Sequence, residues 1–158
     1  MESFVIEGGI PLKGSISPQG AKNEVLQILC AVLLTQDPVI VHNIPDIVDV
    51  NKLIKLLKNF GVKVKHLEQG SFEFQADAID LDYLNSEQFK NDGKGLRGSI
   101  MLVGPLLARF GKGSIPRPGG DKIGRRRLDT HFEGLIKLGA QFNYNKEDYF
   151  YSVEADRL

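Results

Sequence analysis

Apolar residues along the 158-residue chain follow two alternating periods, and the alternation itself occurs twice. Residues 22–34 predict a helix that is nearly all apolar from Val25 onward, as burial requires, and the same texture returns over 98–110. Further on, Val50, Leu53, Ile54 and Leu57 stand at i, i+3, i+4 and i+7, which places them on one stripe of an amphipathic helix. Leu128, Phe132, Leu135 and Ile136 predict a corresponding stripe later in the chain. Short extended stretches are expected at 39–42 and 113–117, and hairpins at 63–67 with 72–76 and at 141–144 with 149–154. Gly61 and Gly139 sit where a left-handed residue ends a helix, and Gly111 is a natural stop for the second apolar helix.

The chain is thus one unit written twice: helix, strand, helix, strand, strand. Leu56-Leu57-Lys58-Asn59-Phe60-Gly61-Val62 corresponds to Gly134-Leu135-Ile136-Lys137-Leu138-Gly139-Ala140. Upstream, Ile28 to Leu34 corresponds to Met101 to Leu107. Unit one covers about 22–77, a polar connector follows over 78–95, and unit two covers about 96–156, with residues 1–21 outside both. The alignment requires a five-residue insertion in the second copy, between Pro118 and Leu128, within a glycine-rich basic stretch. A rigid scaffold repeated with one lengthened loop points to a functional loop, because sites concentrate on loops held by regular elements. Ordinary variation in loop length is the alternative.

Composition narrows the class. An apolar fraction of 42% and a charged fraction of 25% fit a globular chain with one sizeable core. Twenty basic and twenty acidic residues cancel, so a general polyanion surface, and with it nucleic-acid binding, is not expected. Neither a signal-peptide start nor an apolar run of membrane-spanning length is present, and Cys30 is the single cysteine, so the expected setting is cytoplasmic, with no membrane partner. Cys30 falls in an apolar helix and reads as a packing residue, while His42 and His66 lack ligand-spaced partners, so neither a metal nor a cofactor is expected.

Any anion site must therefore come from local clustering. Lys22 and Asn23 open the first apolar helix, where a cation opposes the macrodipole by about 0.3–1 kcal/mol unless an anion is shared between it and the free N–H groups. Arg97 opens the second apolar helix at a nearly equivalent place. Lys122, Arg125, Arg126 and Arg127 lie with Asp121 and Asp129 in the glycine-rich loop, a composition that lets backbone N–H groups and guanidinium forks converge on phosphate. Exposed lysine, surface arginine and a solvated basic turn are the respective alternatives. His131, two residues past Asp129, is a candidate by location alone.

Gly20-Ala21-Lys22-Asn23, Leu96-Arg97-Gly98-Ser99, the run from Gly104 to Gly111 and the loop Pro118-Gly119-Gly120-Asp121-Lys122-Ile123-Gly124-Arg125-Arg126, followed by Leu128-Asp129-Thr130-His131, together resemble the enolpyruvyl transferase family, in its UDP-N-acetylglucosamine 1-carboxyvinyltransferase branch. The resemblance covers essentially the whole chain. It implies an α/β (α+β) fold, an inverted α/β barrel of enolpyruvyl-transferase type built from repeated units, incomplete here. Two of three units of a catalytic domain would be present, with the N-terminal strands packed on a second domain.

The resemblance further implies transfer of the enolpyruvyl group of phosphoenolpyruvate to the 3′-hydroxyl of UDP-N-acetylglucosamine, with release of phosphate, in the first committed step of peptidoglycan synthesis. Lys22, Arg97 and Arg126 would surround phosphoenolpyruvate, and Asn23 would contact the sugar. Arg126, Arg127, Leu128, Asp129 and Thr130 would line the nucleotide. Asp121 stands where most members carry a cysteine associated with proton delivery, which implies resistance to the epoxide fosfomycin; with Lys22 and Arg126 it completes the expected catalytic set. Two positions depart from the family pattern, Arg127 in place of proline and Thr130 in place of leucine. The rival readings are a sugar-nucleotide-binding module without catalysis and the shikimate-pathway enolpyruvyl transferase. The fragment alone is expected to be inactive and to self-associate through exposed apolar faces.

Overall fold

A computed structural model describes residues 3–117, 127–147 and 149–156. The two units have the same order of elements and the same strand pairing. In unit one, α1 (Lys22–Ala31) is followed by a 3-10 turn (Val32–Leu34), β1 (Val39–Val41), α2 (Val48–Asn59) and the hairpin β2 (Lys63–Glu68) and β3 (Ser71–Gln75). After α3 (Glu87–Lys94), unit two runs through a 3-10 segment (Arg97–Leu102), α4 (Val103–Phe110), β4 (Lys112–Pro116), α5 (Asp129–Lys137), β5 (Gln141–Asn145) and β6 (Phe150–Glu154). Each unit's sheet is antiparallel and three-stranded, in the orders β1-β3-β2 and β4-β6-β5, so the first strand pairs with the far arm of the hairpin.

Hydrophobic burial explains why α2 lies where it does. Val50, Leu53, Ile54 and Leu57 face inward as their spacing requires, joined by Leu56. Gly61 (φ 94°) and Gly139 (φ 103°) end α2 and α5 in the left-handed region. At Gly61 a side chain would also collide with the carbonyl of Ala78, 2.4 Å from its Cβ position.

Three expectations need correction. The apolar stretch 98–110 is not one helix: it is a 3-10 segment that passes into α4, with Pro105 in the first turn, where its missing N–H costs no ladder bond. The connector is not a mere polar link. Within it, Tyr83, Leu84 and Phe89 are buried, and the Phe89 ring meets Phe60 edge-on at 5.3 Å. Ser86 caps α3 by accepting from the Phe89 N–H at 3.0 Å. Asp92 on α3 accepts from Tyr83 Oη at 3.1 Å and Asn59 Nδ2 at 3.1 Å, fastening the connector to the end of α2. Finally, the second amphipathic stripe is only partly used: Phe132 is buried, whereas Ile136 is 47% exposed.

The larger core joins unit one to α3 and to the leading segment of unit two, and a smaller one gathers Ile100, Val103, Leu107, Ile115, Phe132, Ala140 and Val153. Residues 3–19 are exposed throughout and form no helix or strand. Apart from Val5, their large apolar side chains at Phe4, Ile6, Ile10, Leu12 and Ile16 fall in one period-two phase, the pattern of a strand with one face to bury. Among the described residues no helix is long and apolar enough to cross a membrane.

Candidate functional site

The start of α1 is held against the turn that leads into α2. Gly20 approaches that turn so closely that a Cβ would sit 1.9 Å from the carbonyl oxygen of Asn43, so no side chain fits there. Asn43 itself is left-handed (φ 56°), which bends the chain from β1 toward α2. The Ala21 N-cap makes no side-chain cap hydrogen bond, and Lys22 and Asn23 are exposed on the first turn of α1. Lys22 Nζ reaches Asp49 Oδ2 in the first turn of α2 at 2.5 Å.

Arg97 is the half-buried first residue of the 3-10 segment. Its neighbours are fixed on both sides. The fully buried Ser99 Oγ donates to the carbonyl of Leu96 at 2.5 Å, with Gly93 O at 3.4 Å, tying the segment's first turn to the end of α3. Gly98 lies against α1, its Cβ position 3.2 Å from Leu26 Cδ1. Leu26 is one turn beyond Lys22, so the two cation-bearing helical starts belong to directly packed elements. Sequence reasoning missed Lys52, whose Nζ lies 3.8 Å from the Cβ position of Gly95, two residues before Arg97. Its signal was its spacing one turn after Asp49 on α2, which only the Lys22–Asp49 contact makes meaningful.

The described part of the third expected position, Arg127 to Thr130, leads into α5, which shares a groove with the end of the 3-10 segment. Ile100 and Met101 line an open groove of about 330 Å³ together with His131 and Phe132 of α5. At the start of α5, Arg127 Nε donates to Asp129 Oδ2 at 2.5 Å, and its terminal nitrogen pairs with the same oxygen. A carboxylate in the first turn of α5 suits the positive end of that helix. Leu128 is half-buried and Thr130 exposed. Asp121, Lys122, Arg125 and Arg126 lie outside the described residues.

Other reactive groups are accounted for by packing. Burial pushes the Cys30 thiol from its ordinary 9.0 up to about 12, which keeps it protonated and unreactive. His42 Nδ1 shares a hydrogen bond with Ser71 Oγ at 3.0 Å, and His66 packs edge-on against Phe72. Among the described residues no group of three His, Cys, Asp or Glu could hold a metal ion.

This arrangement has counterparts in known proteins. The chain is 58% identical over all 158 residues to proteins named UDP-N-acetylglucosamine 1-carboxyvinyltransferase from Bacteroides fragilis and Porphyromonas gingivalis, of which it spans 36% of the length. Among solved structures, it is similar to the enolpyruvyl transferase NikO from Streptomyces tendae, with a TM-score of 0.74 and 21% identity over 96% of this chain and 32% of that one. EPSP synthase from Acinetobacter baumannii superposes with a TM-score of 0.62 at 15% identity, over 90% of this chain and 32% of that one. Both likenesses bear on the fold, and they agree with the expected enolpyruvyl-transferase architecture in incomplete form. Since residues 6–157 match the family described as EPSP synthase (3-phosphoshikimate 1-carboxyvinyltransferase), the chain belongs to that family of enolpyruvyl transferases.

Proposed function

We propose that this chain is part of an enzyme that moves the enolpyruvyl group of phosphoenolpyruvate onto the 3′-hydroxyl of UDP-N-acetylglucosamine, in peptidoglycan synthesis. The observation that carries the reading is the direct packing of two helical starts, each bearing a cation, through Leu26 and Gly98. The name borne by relatives at 58% identity supports this sugar nucleotide over a shikimate acceptor.

In the reaction, the sugar hydroxyl gives its proton to a base as its oxygen adds to C2 of phosphoenolpyruvate, while a proton arrives at C3. Loss of one C3 proton and of phosphate from the tetrahedral intermediate then restores the double bond. Lys22, Arg97 and Arg126 serve as fixed cations around the phosphate and carboxylate, a role worth most in a site closed to water. Asn23 contacts the sugar, Arg126 to Thr130 line the nucleotide, and Asp121 delivers the proton. Lys52 adds positive charge beside Arg97.

The remaining expectations belong to the same proposal. Residues 1–21 pair as strands on a second domain, which gives their alternating apolar face a partner. A third unit lies on the groove between α4 and α5. The chain by itself does not turn over and associates with itself through exposed apolar faces, and the buried single cysteine favours a reducing, cytoplasmic setting. Asp121 offers no thiolate, so fosfomycin leaves the enzyme unmodified; an adduct on the Asp121 peptide by mass spectrometry contradicts this.

Phosphate release by the full-length enzyme tests the whole reading. Release with UDP-N-acetylglucosamine and none with shikimate 3-phosphate is expected. The reverse preference overturns the substrate assignment, and silence with both overturns the activity.

A further inference from the structure

We propose that Asp49 is a positioning residue for Lys22, an inference that rests on the enolpyruvyl-transfer reading above. Lys22 carries its charge on a flexible four-carbon stem at the positive end of α1, where the helix dipole drives an ammonium away from the free N–H groups. An anionic ligand benefits from both together, provided the ammonium stays beside the helix start. Asp49 Oδ2, at 2.5 Å, holds it there.

The carboxylate is itself well placed to do this. Asp49 occupies the first turn of α2, where the opposite sign of charge is favoured. The turn that precedes it is framed by the contact of Gly20 with Asn43, by Ile44 N–H donating to Gly70 O at 2.8 Å, and by Ile47 N–H donating to Pro45 O at 3.1 Å. The side chains are 50% exposed for Lys22 and 35% for Asp49. At that exposure an ion pair adds at most about 1 kcal/mol to stability. Holding the fold together is therefore a weak account of the pair, and holding the amine in place is a strong one. Lys52 and Arg97 keep the surroundings positive despite the carboxylate, so an incoming phosphorylated acid is still attracted.

The consequence is a split between binding and turnover. Removing the charge of Asp49 leaves at least as much positive field for the substrate but releases the amine from its productive place. In the full-length enzyme, Asp49→Asn is expected to lower kcat about 10- to 100-fold, the penalty of a misplaced catalytic group. KM for phosphoenolpyruvate should stay within about threefold, as expected for a loss felt mainly in the transition state. Asp49→Glu, which keeps the charge, recovers most of kcat, and Tm of both variants stays within about 3 °C of the parent. An unchanged kcat in Asp49→Asn overturns the assignment. So does a fall in kcat that follows Tm downward and that Asp49→Glu does not reverse. A variant that fails to fold leaves the decision to Asp49→Glu, whose kcat must then exceed that of Lys22→Ala by at least about tenfold. A parent enzyme without turnover is a different failure: it removes the reaction itself, and the role of Asp49 falls with it.

Discussion

Units one and two share strand order and helix stops, yet they differ sharply in how much of their amphipathic helix is covered. On α2 five residues are buried, including Val50, Leu53 and Leu57 at 0% exposure, because α1 and α3 pack against it. On α5 only Phe132 is buried, while Leu138 just beyond the helix is 62% exposed. The sequence stripes are alike; the neighbours are not. An apolar stripe specifies that a helix has something to bury, whereas the amount buried depends on which elements arrive to cover it. The connections differ too. Residues 42–47 join β1 to α2 through a tight, framed turn, whereas 117–128 join β4 to α5 through a longer segment carrying Asp121 and Arg126. The first copy is the better-covered scaffold, and the second carries the chemistry-rich loop.

The largest expected effect probes a chemical feature that both units present, a cation on the leading helical segment. In the full-length enzyme, Lys22→Ala and Arg97→Ala should each lower kcat/KM for phosphoenolpyruvate by about 10²- to 10³-fold. Lys63→Ala, on an exposed strand pair, should change it by less than about twofold. Equal, small effects in all three remove the shared anion site. Next comes burial: in urea melts of the 158-residue chain, diluted until it is monomeric, Leu57→Ala should cost about 2–5 kcal/mol and Leu138→Ala within about 0.5 kcal/mol. Comparable losses would mean that α5 is covered in solution, by a second copy of the chain or otherwise, and sedimentation then decides which.

The helix stops sharpen the comparison further. Gly61→Ala meets both a left-handed backbone and the Ala78 carbonyl, so a loss of about 2 kcal/mol or more is expected, against about 1 kcal/mol for Gly139→Ala. The smallest effect comes from Cys30. Its thiol stays protonated in the folded protein up to about 12 but ionises in the unfolded chain near 9.0. The unfolded state therefore binds fewer protons between those values, and stability falls as pH rises from about 9 toward 12. Urea midpoints at pH 8 and pH 10 check this, with Cys30→Ala showing the weaker dependence.

Much of the fold was legible because its signals are local. The periodicity of Val50, Leu53, Ile54 and Leu57, the glycines at 61, 111 and 139, and the alternating strands all act within a few residues. The connector was misread because Tyr83, Leu84 and Phe89 are too few and too unevenly spaced to register as a stripe. Ser86 before Glu87 was the available sign of a helix start. Lys22, Asn23 and Arg97 were singled out as candidates by their place at helix starts and by the family resemblance, and the elements carrying Lys22 and Arg97 do pack together. Asp49 and Lys52 were missed because neither stands out along the chain: one is an ordinary first-turn acid and the other an ordinary helix-surface lysine.

The sequence by itself determined the repeated unit, where α2, α4 and α5 stop, and which residues carry charge at the leading segments, since backbone preference and side-chain periodicity are set by near neighbours. Tertiary structure alone decided which apolar stripe is covered, that the connector joins the core, that Asp49 stands beside Lys22 and that Lys52 reaches Gly95. Those facts depend on contacts between segments far apart in the chain, and such contacts leave no trace in local spacing.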